Sequence, residues 1–259
     1  MPGSEAENPV SQAKLEVEEV SVHFGGVQAL IGVTVTAMAG EVTGLIGPNG
    51  AGKTTLFNVI TGLERPTSGR VRIAGADVGR MPPYRRARLG MARTFQRLEV
   101  FGSLSARDNI LAGAEFRKSY ARNKTNPYQV ADEIIQRVGL AAVGNSRVDA
   151  LPTGMARLVE LGRALATEPQ LLLLDEPGSG LVEEESDQLG RLLVELAGAG
   201  VAILLVEHDV ELVMRVCDRL YVLDFGQVIS VGTPEQVQAD PAVQAAYLGA
   251  DPGLLEEVG

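Results

Sequence analysis

Two short stretches of the chain carry residue types that can handle a phosphoryl group. The first reads "GPNGAGKT" at 47–54 and fits the pattern G-x-x-x-x-G-K-[ST]. It stands between a short apolar run, "EVTGLIG" at 41–47, and "KTTLFNVITGL" at 53–63, where Leu56, Phe57, Ile60 and Leu63 recur at helical spacing. Strand, glycine loop and helix in that order are the setting in which this pattern holds phosphate. Glycines let backbone N–H groups turn inward towards anionic oxygens, and the helix aims its positive end at the same point. Gly47, Pro48, Asn49, Gly50, Ala51 and Gly52 form the expected cradle. Lys53 adds a point charge for the β- and γ-phosphates, and Thr54 offers a hydroxyl to Mg²⁺. Thr55 reads equally well as a helix cap or as an α-phosphate contact. The Asn-Lys-x-Asp base-reading motif that a GTPase needs is absent from the sequence.

The second stretch is "LLLLDEP" at 171–177. A continuous apolar run is the mark of a strand buried on both faces of a parallel sheet. Ending it at Asp175 puts a carboxylate at the carboxyl end of the sheet, where open α/β sheets bind ligands. There Asp175 can hold Mg²⁺ beside Thr54. Glu176 is placed to orient or deprotonate a water in line with the γ-phosphate, and Pro177 helps to end the strand.

These residues need a scaffold, and the pattern of the chain describes one. "KLEVEEVSVHF" at 14–24 alternates, with Leu15, Val17, Val20 and Val22 as inward candidates, and "GVTVTAM" at 32–38 is similar. Both read as antiparallel strands, and "RVRIAG" at 70–75 as a further strand. From about 98 to 168 strand signals fade and helices are expected at 105–122, 129–140 and 155–167, the last ending before Glu168–Pro169. "VAILLVEHD" at 201–209 is a second buried strand, and 218–232 reads as a hairpin turning at Asp224–Gly226. The expected organisation is an α/β nucleotide-binding core over about 13–97 and 159–249, a helical insertion over about 98–158, and tails at 1–12 and 250–259.

The bulk composition narrows the function. The chain has 259 residues, 45% of them apolar, which suits a globular α/β protein. A net charge of -10 argues against nucleic acid as a partner, which requires a basic face. The local basic run "RRARLGMARTFQR" at 85–97 reads as a solvated helix and loop. One cysteine, Cys217, and two histidines give neither an internal disulfide nor a Cys/His metal site, and a reducing compartment fits. The longest purely apolar run, "VAILLV" at 201–206, is far short of the ~20 residues that cross a bilayer. The N-terminal stretch lacks the apolar segment of a signal peptide. A cytoplasmic protein able to bind membrane proteins is the expectation.

With the phosphate loop and "LLLLDEP" in place, nearly the whole chain, from about 14 to 249, resembles the ATP-binding subunit of an ABC transporter. The resemblance implies a P-loop core of RecA-like type with an antiparallel β subdomain and an inserted helical subdomain. It implies that Phe24 of "HFGG" stacks on adenine, although an isolated Phe reads first as core. Gln96 of "RTFQ" would reach Mg²⁺ and the attacking water, and would couple to the membrane subunit. His208 of "VEHD" would contact the γ-phosphate, although a histidine after a buried strand also reads as structural. His23 keeps that structural reading. The stretch "SGL" at 179–181 would be the loop that crosses the dimer interface.

The forms "FGGVQAL", "MARTFQ", "EHDVELVMRVCDRLYVLDFGQVISVGTP" and a terminal "AYLG" look like the branch that energises branched-chain amino acid import, in its first-subunit type. The implied partners are a second ATPase subunit, two membrane permeases and, indirectly, a substrate-binding protein, with the chain peripheral on the inner face of the membrane. Two stretches depart from the family. Its signature is usually Leu-Ser-Gly-Gly-Gln, and here Leu151, Pro152, Thr153, Gly154 and Met155 stand in that place. Val182 stands where an Asp or Asn usually follows "SGL". In the family the signature completes the partner subunit's ATP site, so any weakening would fall there. A soluble ATP switch and an ATP-gated scaffold with little hydrolysis are the competing readings.

Overall fold

The computed structural model describes residues 12–121 and 125–248. The expected tails at 1–12 and 250–259 lie outside it, apart from Gln12. The chain opens with two long strands, β1 (Ala13–Phe24) and β2 (Val27–Met38), then β3 (Val42–Ile46) and α1 (Lys53–Thr61). Next come β4 (Ser68–Ile73), β5 (Ala76–Asp77), α2 (Pro83–Arg88) and β6 (Met91–Arg93). Three helices follow: α3 (Ala106–Tyr120), α4 (Pro127–Arg137) and α5 (Thr153–Leu165). The chain then alternates through β7 (Leu171–Asp175), α6 (Glu183–Gly198), β8 (Ala202–Val206) and α7 (Val210–Val216). It finishes with β9 (Arg219–Asp224), β10 (Gln227–Gly232), α8 (Pro234–Gln238) and α9 (Pro241–Leu248).

Two sheets result. One is antiparallel in the order β2-β1-β4-β5, and the other runs β10-β9-β3-β8-β7-β6, parallel except for the β9–β10 hairpin. The inward candidates of β1 are all buried, but their phase jumps between Val17 and Val20. A bulge absorbs the jump. Glu19 takes φ +49, and the register with β2 shifts between Val17 and Val20. The hairpin turns through Phe225 and Gly226, both at positive φ, as a two-residue turn between right-twisted strands requires.

Every residue of β7 and β8 is buried, because the parallel sheet is covered on both faces. Alternate side chains serve different cores. Leu172 and Leu174 join the cluster built with α3, α4, α5 and α6, while Leu171 and Leu173 join the one built with α1 and the antiparallel sheet. Helix α4 starts at Pro127, two residues earlier than the periodicity suggests, because Asn126 caps it by accepting from the Tyr128 N–H. Helix α5 stops at Leu165, short of the expected 167, and Glu168 turns to φ +51 ahead of Pro169. Among the described residues no helix is long and apolar enough to cross a membrane.

Candidate active site

The strand order β3-β8-β7-β6 is what gathers the site. The loops leaving the carboxyl ends of these neighbouring parallel strands carry the phosphate loop, His208, the Asp175–Glu176 pair and Gln96 respectively.

The phosphate loop leaves β3 at Gly47, whose φ is +145, and an added Cβ there would lie 1.9 Å from the Leu223 carbonyl oxygen. At the far end Gly52, φ +111, caps α1 without a side-chain cap bond. The first N–H groups of α1 are thus left to an anion, and the capping role considered for Thr55 is not realised. Lys53 is buried, with its ammonium folded onto the carbonyls of Gly47 and of Pro48, the latter at 3.0 Å. Burial pushes its pKa down, and the charges of Glu176 and Asp175 pull it up. Thr54 is exposed at the mouth of the loop.

Asp175 closes β7 with its backbone N–H donating to the Thr94 hydroxyl at 3.2 Å. Its Oδ2 takes the Arg93 Nη2 at 3.1 Å, and both side chains are almost wholly buried. Burial raises the Asp175 pKa, and Arg93 opposes the rise. Arg93 also donates to Asn58 Oδ1 at 2.9 Å and lies against the Phe57 and Phe95 rings. Glu176 follows at φ +52, its N–H held by the Val206 carbonyl at 2.9 Å. That turn separates the two carboxylates. Asp175 faces Arg93, while Glu176 Oε1 meets Gln96 Nε2 at 3.1 Å and His208 Nε2 at 2.9 Å. Three residues singled out at 96, 176 and 208 therefore converge on one oxygen.

Gln96 is held from behind by α5. Arg157 donates to the carbonyls of Phe95, at 2.9 Å, and of Gln96, at 2.5 Å. Glu160 accepts the Phe95 N–H at 3.2 Å, and Arg163 reaches the Glu99 carbonyl. Burial pushes the Glu160 pKa up and the Arg163 pKa down. Sequence reasoning missed this grip. The available signal was charge on the apolar stripe of α5, with Glu160 set between Val159 and Leu161.

Leu151, Pro152, Thr153, Gly154 and Met155 lead into the same helix, with Pro152 as its cap residue. Gly154 sits so close to the 179–181 loop that a Cβ would lie 2.6 Å from the Gly180 carbonyl oxygen. Phe24 is 48% exposed at the end of β1, so the core reading of that residue fails. The basic run at 85–97 also departs from expectation. Arg86 is buried and donates to the Val59 and Ile60 carbonyls, each at 2.7 Å, and Arg93 is buried against Asp175. Two of its arginines are internal ties, and no solvated face includes them.

A phosphate loop before a helix, a buried carboxylate at the end of a parallel strand one removed from it in the sheet, and a glutamate gripped by an amide and an imidazole define a P-loop nucleoside-triphosphatase site. The comparisons specify it further. The ABC transporter family matches residues 30–179, and a C-terminal signature described as "Branched-chain amino acid ATP-binding cassette transporter" matches 227–252. The chain is 36% identical to the high-affinity branched-chain amino acid transport ATP-binding proteins BraF of Pseudomonas aeruginosa and LivG of Escherichia coli, over 93% of this chain and 99% of each relative. A solved nucleotide-free ATP-binding cassette from an ABC transporter superposes with a TM-score of 0.81 at 30% identity, over 91% of this chain and 99% of that one. The chain belongs to the ABC transporter family, as an ATP-binding cassette, and is an ATPase.

Proposed function

We propose that this cassette hydrolyses Mg-ATP to energise the import of branched-chain or related amino acids. The observation that carries the reading is the meeting of Gln96 and His208 on Glu176, next to a lysine-bearing phosphate loop. Glu176 is the general base for the attacking water, His208 and Gln96 hold its carboxylate in place, and Lys53 with the backbone N–H groups of 49–54 binds the β- and γ-phosphates. Phe24 offers an exposed ring to the adenine. Thr54, Asp175 and Gln96 are the residues that would hold Mg²⁺. A hydroxyl, a carboxylate and an amide oxygen are hard donors of the kind the ion takes. Bound there, it would neutralise phosphate charge.

The reading extends to an assembly of two ATPase subunits, two permeases and a substrate-binding protein, with the chain on the cytoplasmic face of the membrane. The signature 151–155 would complete the ATP site of the second ATPase subunit, which aligns the positive end of α5 with that subunit's phosphates. A groove of about 740 Å³ supports the permease contact. It opens beside Phe95 between α2 and α3, and its wall includes Leu63, Tyr84, Phe101 and Phe116, all at least 41% exposed. Apolar side chains gathered in such a groove suit an inserted partner helix.

The test is Mg-ATP hydrolysis by the purified chain beside Glu176→Gln, over a range of protein concentrations. Turnover that needs Glu176 and rises cooperatively with concentration is expected of a dimerising ATPase. Turnover unaffected by the substitution would refute the base assignment.

A further inference from the structure

One buried carboxylate near the site has no part in the mechanism so far. Glu207 follows β8 and is only 6% exposed. Its Oε1 accepts the Gly178 N–H at 2.6 Å, and its Oε2 accepts the His208 N–H at 3.1 Å. Gly178 lies two residues after Glu176, on the turn between β7 and α6. His208 lies on the turn between β8 and α7. A side chain at 178 would crowd this contact, since its Cβ would stand 2.9 Å from Glu207 Oε1. A carboxylate this deeply buried is costly unless it is saturated with donors. Here each carboxylate oxygen takes one backbone N–H, Oε1 from the first turn and Oε2 from the second.

We propose that Glu207 is a positioning residue for the hydrolytic pair: its carboxylate straps the turn after Glu176 to the turn bearing His208 and so sets the contact between those two side chains. The inference rests on the ATPase reading above. Glu207 touches no reacting atom. It acts through two backbone segments, each of which brings one half of the Glu176–His208 contact. Outer partners that orient metal ligands typically change activity about 10–100-fold when altered, and the same order is expected of a strap that orients a hydrolytic pair. Gln at this position keeps the volume and one acceptor oxygen, but turns an NH₂ towards a backbone N–H.

The experiment uses the full chain with Glu207→Gln. The kcat for ATP is expected to fall about 10–100-fold while the dissociation constant of a fluorescent ATP analogue changes less than about twofold. In a His208→Ala background Glu207→Gln should have little further effect, because the strap then has nothing to position. A second readout does not need turnover. The sequence has two histidines, so the His208 imidazole NMR signals can be assigned by loss in His208→Ala. In Glu207→Gln they should move towards their position in Glu176→Gln, while those of His23 stay. Gly178→Ala, which crowds the strap from the other side, should act in the same way and keeps the test open if Glu207→Gln does not fold. Wild-type turnover with an unchanged kcat and unmoved His208 signals in Glu207→Gln would overturn the proposal. So would an equal loss in the His208→Ala background. Absence of wild-type turnover would instead count against the ATPase reading, leaving the NMR comparison to decide the strap.

Discussion

Replacing Arg93 by Met isolates a charge pair that the fold hides. Arg93 and Asp175 meet at 3.1 Å with side chains 6% and 4% exposed, so solvent screens the pair little. Arg93 also donates to Asn58 Oδ1 and Thr61 Oγ1, at 2.9 and 3.3 Å. Removing one partner of a buried ion pair costs about 3–5 kcal/mol, because the other charge stays buried without compensation. For a chain of this size each kcal/mol moves Tm by about 2–4 °C, so Arg93→Met should melt about 6–20 °C below wild type. Asp175 is the charge left behind, and burial already pushes its pKa up. The double variant Arg93→Met, Asp175→Asn should therefore recover part of the loss, a coupling of about 1–3 kcal/mol in a double-mutant cycle. The assay is thermal and denaturant unfolding of the nucleotide-free protein, which keeps catalysis out of the readout. A melt within about 2 °C of wild type, or a double variant no more stable than Arg93→Met, would refute the reasoning.

Other substitutions test separate parts of the structure. Glu160 has its pKa raised from 4.5 by burial. The folded state then holds that proton more tightly than the unfolded chain, so the contribution of Glu160 to stability is fully present below about 4.5 and is lost as pH rises through the higher folded value. Glu160→Gln keeps an acceptor for the Phe95 N–H and removes this slope, so its stability relative to wild type should increase from pH 4.5 upward in parallel melts. Cys217 is buried, and its thiol is pushed up to about 12. Labelling by a thiol reagent at pH 8 should be slow in the native protein and become fast across the denaturant transition. Gly47→Ala would drive a Cβ to 1.9 Å from the Leu223 carbonyl oxygen at φ +145. The backbone strain alone is about 1–3 kcal/mol, and a lower Tm with lost ATP-analogue binding is expected. Phe101→Asp places a charge in the groove beside Phe95 and should weaken co-purification with permeases while leaving the basal ATPase of the isolated chain unchanged.

What the linear sequence determined is what lies within one strand–loop–helix unit. "EVTGLIG", "GPNGAGKT" and "KTTLFNVITGL" are contiguous, so period, glycine placement and charge could be read together. "LLLLDEP" was legible for the same reason, since an apolar run and the carboxylates that end it are neighbours in the chain. The capping of α4 by Asn126 and the turn chemistry after Leu165 shifted helix ends by a residue or two, because side-chain caps outweigh hydrophobic period at a terminus. The tertiary structure decided which loops face one another. The order β3-β8-β7-β6 follows from crossovers, and it alone brings Gln96, Glu176 and His208 to one oxygen. It also turned Arg93 and Arg86 inward from a run that reads as surface, and gave Glu160 and Glu207 backbone donors far away in sequence. A buried charge is stable only where partners arrive from other elements, and no local pattern of residues encodes their arrival.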